Sequence, residues 1–213
     1  MALEAVIFDW DGPIADSREF QHGFFRRICE LFGVAYPWQT IDEMRANLVE
    51  PYSRNYENLG IDWKAHGDFI HAEFIAHSSR HKIQMVRGID EALRQLNGLK
   101  IGIASSNWIE VIERKCQEYG IAQYVCAISG NQQGAMPKLK PDPDVIIRCL
   151  EKLGVAARKT AYVGDLPTDI EAARAAGCVP IAVTWGYGIR DKLAAQKPYR
   201  ICHKPEELMD AVL

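Results

Sequence analysis

Five short, mainly apolar runs constrain this chain more than any other feature. They are Ala5–Phe8 and residues 99–104, 125–129, 160–163 and 180–184, each rich in Val, Ile or Ala and each giving way to small or acidic residues. Apolarity without alternation is the mark of strands buried on both faces. Between the runs lie helical patterns at 89–96, 109–119, 143–153 and 169–176. Strands alternating with helices of this length imply parallel pairing through right-handed crossovers, hence an open α/β sheet.

One stretch departs from this alternation. Residues 17–82 contain no strand-like run, and Phe20, Phe24, Phe25, Ile28, Leu31 and Phe32 recur at helical spacing up to Gly33. Further helical patterns follow at 41–49, 52–59 and 63–77. Ala5–Phe8 cannot form a sheet alone and must pair with strands beyond this segment. The expected organisation is therefore a core of residues 1–16 and 83–213, interrupted by an all-helical insert over 17–82.

Apolar residues make up 48% and charged residues 25% of the 213, a balance suited to a folded core. A net charge of −3 gives no general case for nucleic acid or an anionic membrane surface as partner. The opening residues read as a buried strand rather than a signal peptide, and no segment approaches the roughly 18–20 apolar residues of a membrane span. Six cysteines without CxxC spacing are expected to be reduced thiols, which places the protein in the cytoplasm. No sustained heptad is evident, so a monomer is expected.

In open parallel sheets ligands bind beyond the carboxyl ends of the strands. Here those ends lead into Asp9-Trp10-Asp11-Gly12, Ser105-Ser106-Asn107, a loop reaching Lys140-Pro141, and Gly164-Asp165 followed by Asp169. Carboxylates converging on one spot repel unless a hard cation joins them, and Mg²⁺ prefers oxygen ligands and bridges readily to phosphate. A carboxylate beside it can attack phosphorus, and a second can act as acid and base. A lysine, hydroxyls and backbone N–H groups can hold the phosphoryl oxygens.

The order DxDG, apolar-Ser-Ser-Asn, KPDPD and GDxxxD resembles the haloacid dehalogenase (HAD) superfamily through nearly the whole chain outside the insert. The resemblance implies a HAD-like Rossmannoid core with a helical C1 cap, and a phosphatase acting on a small phosphorylated metabolite. It implies Asp9 as nucleophile, Asp11 as general acid and base, and Ser105 and Lys140 as phosphate holders. Gly12, Ser106 and Asn107 would add phosphate contacts. Mg²⁺ would be held by Asp9, the Asp11 main-chain carbonyl and Asp165, with Asp169 as a direct or water-mediated supporter. The piece Val183-Thr184-Trp185-Gly186-Tyr187-Gly188 is similar to the phosphoglycolate phosphatase-like branch.

Some features depart from the pattern or compete with this reading. Pro13 stands where the family usually has Thr, so the turn after Asp11 is expected to differ, and residues 130–139 are less acidic than in many relatives. A sugar phosphomutase shares every core motif, but its usual histidine position is offered here only as Gln21 and then His22. A catalytically idle relative would not need all five of Asp9, Asp11, Lys140, Asp165 and Asp169. The histidines of the insert (His66, His71, His77, His81) lack companion ligands and read as packed or solvated side chains. Arg45, Arg54 and Lys64 read as surface charges, and substrate choice is expected to rest on the insert's 47–59 segment.

Overall fold

Ala5–Phe8 forms strand β1, and all four of its residues are fully buried. In the computed structural model, which describes residues 2–49, 51–132 and 138–212, β1 lies inside a six-stranded sheet. Two-residue strands β2 (Ala15–Asp16) and β3 (Gln84–Met85) stand at the chain's two passages between units. The other sheet strands are β4 (Lys100–Trp108), β5 (Val125–Asn131), β6 (Thr160–Gly164), β7 (Val179–Val183) and β8 (Arg200–Cys202). Their order is β5-β4-β1-β6-β7-β8, and every adjacent pair is parallel.

By contact the chain divides into two compact units, Met1–Asp16 with Met85–Leu213, and Ser17–Gln84. The first holds the sheet together with the helices that follow Met85. The second holds α1 (Arg18–Phe32), α2 (Ile41–Asn47), α3 (Ser53–Asn58) and α4 (Trp63–Arg80).

The sheet unit is built on the two-residue period of its strands. Ala5 and Ile7 join a core cluster with Val145, Ile146, Cys149, Leu150 and Leu153 of α7 (Asp144–Leu153) and Ala172 and Ala173 of α8 (Pro167–Ala175). Val6 and Phe8 lie outside that cluster, as alternation requires. At Gly102 a Cβ would come within 2.7 Å of the Cys149 sulfur, so the glycine lets α7 sit close against β4. The remaining helices are α5 (Ile89–Gln95), α6 (Ile109–Glu118), α9 (Arg190–Ala195) and α10 (Leu208–Val212).

In the helical unit the apolar stripe of α1 is an aromatic core. Phe20 and Phe24 meet Phe74 edge-on, and Phe25 packs against Trp38, Tyr52 and Tyr56. Helix α1 stops where Gly33 takes the left-handed conformation (φ 64°), with Val34 N–H donating to the Cys29 carbonyl and Gly33 N–H to that of Glu30. Helix α2 begins with a capping box between Thr40 and Glu43. The buried Asn55 amide bonds both the N–H and the carbonyl of Val49, closing the turn between α2 and α3. No helix among the described residues is long and apolar enough to cross a membrane.

Three differences from the sequence expectation have physical causes. Strand β4 does not end at Ala104; it continues to Trp108, with a register irregularity that lets Trp108 pair with Asn131. Ser105, Ser106 and Asn107 therefore lie on the end of a strand rather than in a loop past it. Strand β8 was not foreseen, because three residues flanked by Lys197, Tyr199 and Lys204 carry too little apolar pattern to read. Helix α4 runs three residues past 77, to Arg80, with Ser78 buried.

Candidate active site

Asp9 follows β1 directly and Asp165 follows β6, its neighbour in the sheet, so two carboxylates leave adjacent strand ends. Asp169 enters from the first turn of α8, where Pro167 opens the helix. Asp9, Asp165 and Asp169 are all buried, and each offers an oxygen within 4.8 Å of the others. Lys140, only 3% exposed, is the ammonium among them. Its Nζ lies 2.9 Å from Asp9 Oδ2 and 2.5 Å from Asp169 Oδ1, and donates over 3.4 Å to the Tyr162 hydroxyl. That hydroxyl donates in turn to the Ala104 carbonyl at 2.9 Å, which fixes it as an acceptor for the lysine.

The carboxylate oxygens divide into engaged and unengaged ones. Asp169 is fully committed: Oδ1 to Lys140, and Oδ2 to the N–H groups of Asp165 and Leu166 at 3.0 and 2.8 Å. Asp165 Oδ2 accepts the Tyr187 N–H at 2.5 Å. Asp9 Oδ1 and Asp165 Oδ1 are buried without a hydrogen-bond partner. Orphaned buried oxygens are costly, and three carboxylates share one ammonium here. Both facts fit a hard divalent cation taking Asp9 Oδ1 and Asp165 Oδ1 as ligands.

Burial pushes Asp9 from its ordinary value of 3.8 up to about 6, against the pull of Lys140 and with help from Asp169 and Asp11. Asp165 is raised well above the ordinary range, first by burial and then by Asp169 and Asp9. Lys140 is held well above its ordinary value: burial opposes its charge, but Asp169 and Asp9 outweigh that cost.

A pH signature follows. A carboxylate whose folded pKa is raised makes the folded state bind more protons than the unfolded chain, so its contribution turns unfavourable as pH rises. For Asp9 the penalty is absent below about 4 and complete above about 6. The metal-free melting temperature of Asp9→Asn, minus that of the wild type, should grow across this window and level off above it. Thermal melts in chelator at stepped pH check this. Mg²⁺ should flatten the difference.

Beside the cluster, Asn107 Nδ2 donates to Asp11 Oδ2 at 2.8 Å, while its Oδ1 accepts the Trp108 N–H at 2.7 Å. Asn107 is thus clamped at both ends of its amide and orients Asp11. Ser105 is buried, and its hydroxyl accepts the Asn107 N–H at 3.2 Å. The Ser106 carbonyl is held by Asn131 Nδ2 at 2.6 Å. Gly12 sits at φ 104°, and a Cβ there would come 2.3 Å from an Asp165 carboxylate oxygen, so no larger residue fits.

Pro13 is accommodated by the form of its turn. The bonds that close it come from Gly12, Ile14 and Ala15 N–H, to the carbonyls of Ala15, Trp10 and Trp10. A missing N–H at position 13 costs none of them. The Pro13 carbonyl accepts the Trp185 indole N–H at 3.2 Å.

The sequence-derived set thus appears as one buried cluster (Asp9, Lys140, Asp165, Asp169) and an adjoining strand end (Asp11, Ser105, Ser106, Asn107), with Gly12 against Asp165. Residues 133–137 of the loop read as poorly acidic lie outside the described residues. Sequence reasoning did not find Tyr162, which looks like any strand aromatic, nor the use of Asn107 on Asp11. It saw the Trp-Gly-Tyr-Gly segment without assigning it a contact.

Comparison with known proteins identifies the family. The family profile described as haloacid dehalogenase-like hydrolase matches residues 6–183. A phosphoglycolate phosphatase of Vibrio parahaemolyticus is 27% identical over 221 residues, covering 99% of this chain and 96% of that protein. One from Yersinia pseudotuberculosis is 28% identical over 226 residues, covering 99% and 94%. Among solved structures, a haloacid dehalogenase-like hydrolase of Streptococcus pneumoniae superposes with a TM-score of 0.84 at 22% identity, over 99% of both chains. With the profile spanning most of its length, the chain belongs to the haloacid dehalogenase-like hydrolase family.

Proposed function

We propose that this enzyme is a Mg²⁺-dependent phosphatase of small phosphorylated metabolites that works through an aspartyl-phosphate on Asp9, with phosphoglycolate as the leading substrate. The observation that carries the reading is the asymmetry of Asp9: Oδ2 is fixed by Lys140 at 2.9 Å while Oδ1 has no partner. The class, phosphoric monoester hydrolase, and the choice of phosphoglycolate are supported by the relatives from Vibrio and Yersinia, both named for that activity.

In this reading Asp9 attacks phosphorus and the ester P–O bond breaks. Asp11, oriented by Asn107, protonates the leaving alkoxide and later takes a proton from the water that attacks the aspartyl-phosphate. Lys140 keeps Asp9 aimed and ionised, and Asp169 keeps Lys140 in place. The Ser105 hydroxyl donates to a phosphoryl oxygen, and Gly12, Ser106 and Asn107 are read as further phosphate contacts. Mg²⁺, held by Asp9, Asp165 and the Asp11 carbonyl with Asp169 behind, would neutralise charge on the phosphoryl group. The segment 17–82 is read as a C1 cap on the core of 1–16 and 83–213. A mutase reading gains no support from Gln21 or His22: Gln21 accepts the Tyr52 hydroxyl at 2.6 Å, and the His22 ring nitrogen lies 3.3 Å from the Trp38 carbonyl.

The test is phosphate release from phosphoglycolate, hexose phosphates and nucleoside monophosphates, with Mg²⁺ and with chelator. Release that requires Mg²⁺ and is fastest with phosphoglycolate is the expected outcome. A faster hexose or nucleotide ester would move the substrate class, and release unaffected by chelator would remove the metal.

A further inference from the structure

Asp165 is enclosed by a turn that lies far from it in sequence, residues 184–189 between β7 and α9. A Cβ on Gly186 would stand 2.1 Å from Asp165 Oδ2 and 2.6 Å from its Cγ. A Cβ on Gly188 would stand 1.7 Å from the Asp165 carbonyl oxygen. Neither glycine has a left-handed φ, in contrast to Gly12, so the backbone conformation does not call for glycine at either position. What forbids a side chain is Asp165. Between the two glycines the Tyr187 N–H takes Asp165 Oδ2, and Tyr187 itself is buried. Oδ1 of the same carboxylate is left without a hydrogen bond. At the other end of the turn, the Trp185 indole donates to the Pro13 carbonyl, two residues past Asp11.

We propose that Gly186, the Tyr187 N–H and Trp185 form a positioning collar for the cation site. The collar engages Asp165 Oδ2, leaves Oδ1 as the oxygen open to a cation, and ties that arrangement to the turn carrying Asp11. Gly186 and Trp185 are positioning residues, since they act through Asp165 and Pro13. The proposal rests on the reading of this cluster as a Mg²⁺ site. Outer contacts that orient ligand carboxylates commonly govern metal affinity about tenfold to a hundredfold.

The measurement is Mg²⁺ binding alone, without substrate, by calorimetry and by the Mg²⁺-induced rise in melting temperature. The proteins compared are the wild type, Asp165→Asn, Gly186→Ala, Trp185→Phe and, as a glycine control with open space around it, Gly23→Ala. Gly186→Ala should weaken Mg²⁺ about tenfold to a hundredfold with its circular dichroism unchanged. Trp185→Phe should weaken it less, and Gly23→Ala should bind as the wild type does. Wild-type affinity in Gly186→Ala, alongside loss in Asp165→Asn, would overturn the collar while leaving the metal reading in place. No Mg²⁺ binding by the wild type would overturn both. Should Gly186→Ala fail to fold, the double variant Asp165→Gly/Gly186→Ala decides. Restored folding places the clash on the Asp165 side chain, as the collar requires, and continued misfolding overturns it.

Discussion

Asp9→Asn is expected to lose phosphatase turnover by about ten-thousand-fold or more, the scale on which removing a covalent nucleophile acts elsewhere. The amide keeps the size and shape of the side chain, and a neutral group is easier to bury at a position only 4% exposed. Loss of turnover should therefore come without loss of fold. Initial rates of phosphate release with saturating Mg²⁺, paired with a thermal melt, separate the two. A rate within tenfold of the wild type would mean that Asp9 does not attack phosphorus. A lost rate with a collapsed melt would report misfolding instead.

Lys140→Met has the largest expected effect on stability. The ammonium is the cation that both Asp9 and Asp169 contact, and all three side chains are almost wholly buried. Removing one partner from such a group leaves uncompensated buried charge, a loss of about 3–5 kcal/mol. For a chain of this size that corresponds to a fall in melting temperature on the order of 10 °C. The sign of its pH dependence is fixed. Without the lysine, the pull that lowers Asp9 is gone, so its folded pKa rises further above 3.8. The deficit is then greatest where Asp9 is ionised and shrinks as pH falls toward about 4, where a proton on Asp9 offsets the lost ammonium. Mg²⁺ should also recover part of it. Melts of both proteins across this range, with Mg²⁺ and with chelator, provide the check. A deficit independent of pH and Mg²⁺ would assign Lys140 to packing alone.

How much of this was legible in the sequence depended on which physical signal a residue carries. Asp9 and Asp165 stood out because each follows a short, mainly apolar run, and a parallel sheet delivers such ends to one edge. Asp169 was legible through the GDxxxD resemblance, and it lies in the first turn of α8. Lys140 was placed by its Lys-Pro-Asp-Pro context, though nothing local says that its ammonium would meet Asp169 as well as Asp9. The insert was legible because helical periodicity persists from Phe20 to Phe32, and Gly33 marks the stop.

Long-range pairing was not legible. The extension of β4 to Trp108 depends on Asn131 of β5 offering a partner, which β4's own residues do not encode. Asn107 was read as a phosphate contact; that its side-chain amide also bonds Asp11 and the Trp108 N–H was not legible. Gly186 and Gly188 were seen only as part of a family-like segment, and only the proximity of Asp165 explains why no other residue fits.

The central claim is that Asp9 carries the phosphoryl group. Its most direct test uses Asp11→Asn with p-nitrophenyl phosphate and Mg²⁺. That leaving group needs no proton, so the first step survives the substitution while hydrolysis of the aspartyl-phosphate slows. Acid quenching and peptide mass mapping should find one phosphoryl group, on the peptide containing Asp9 and absent from the Asp9→Asn/Asp11→Asn protein. A phosphoryl group on another residue, or continued nitrophenol release by the double variant, would contradict the account.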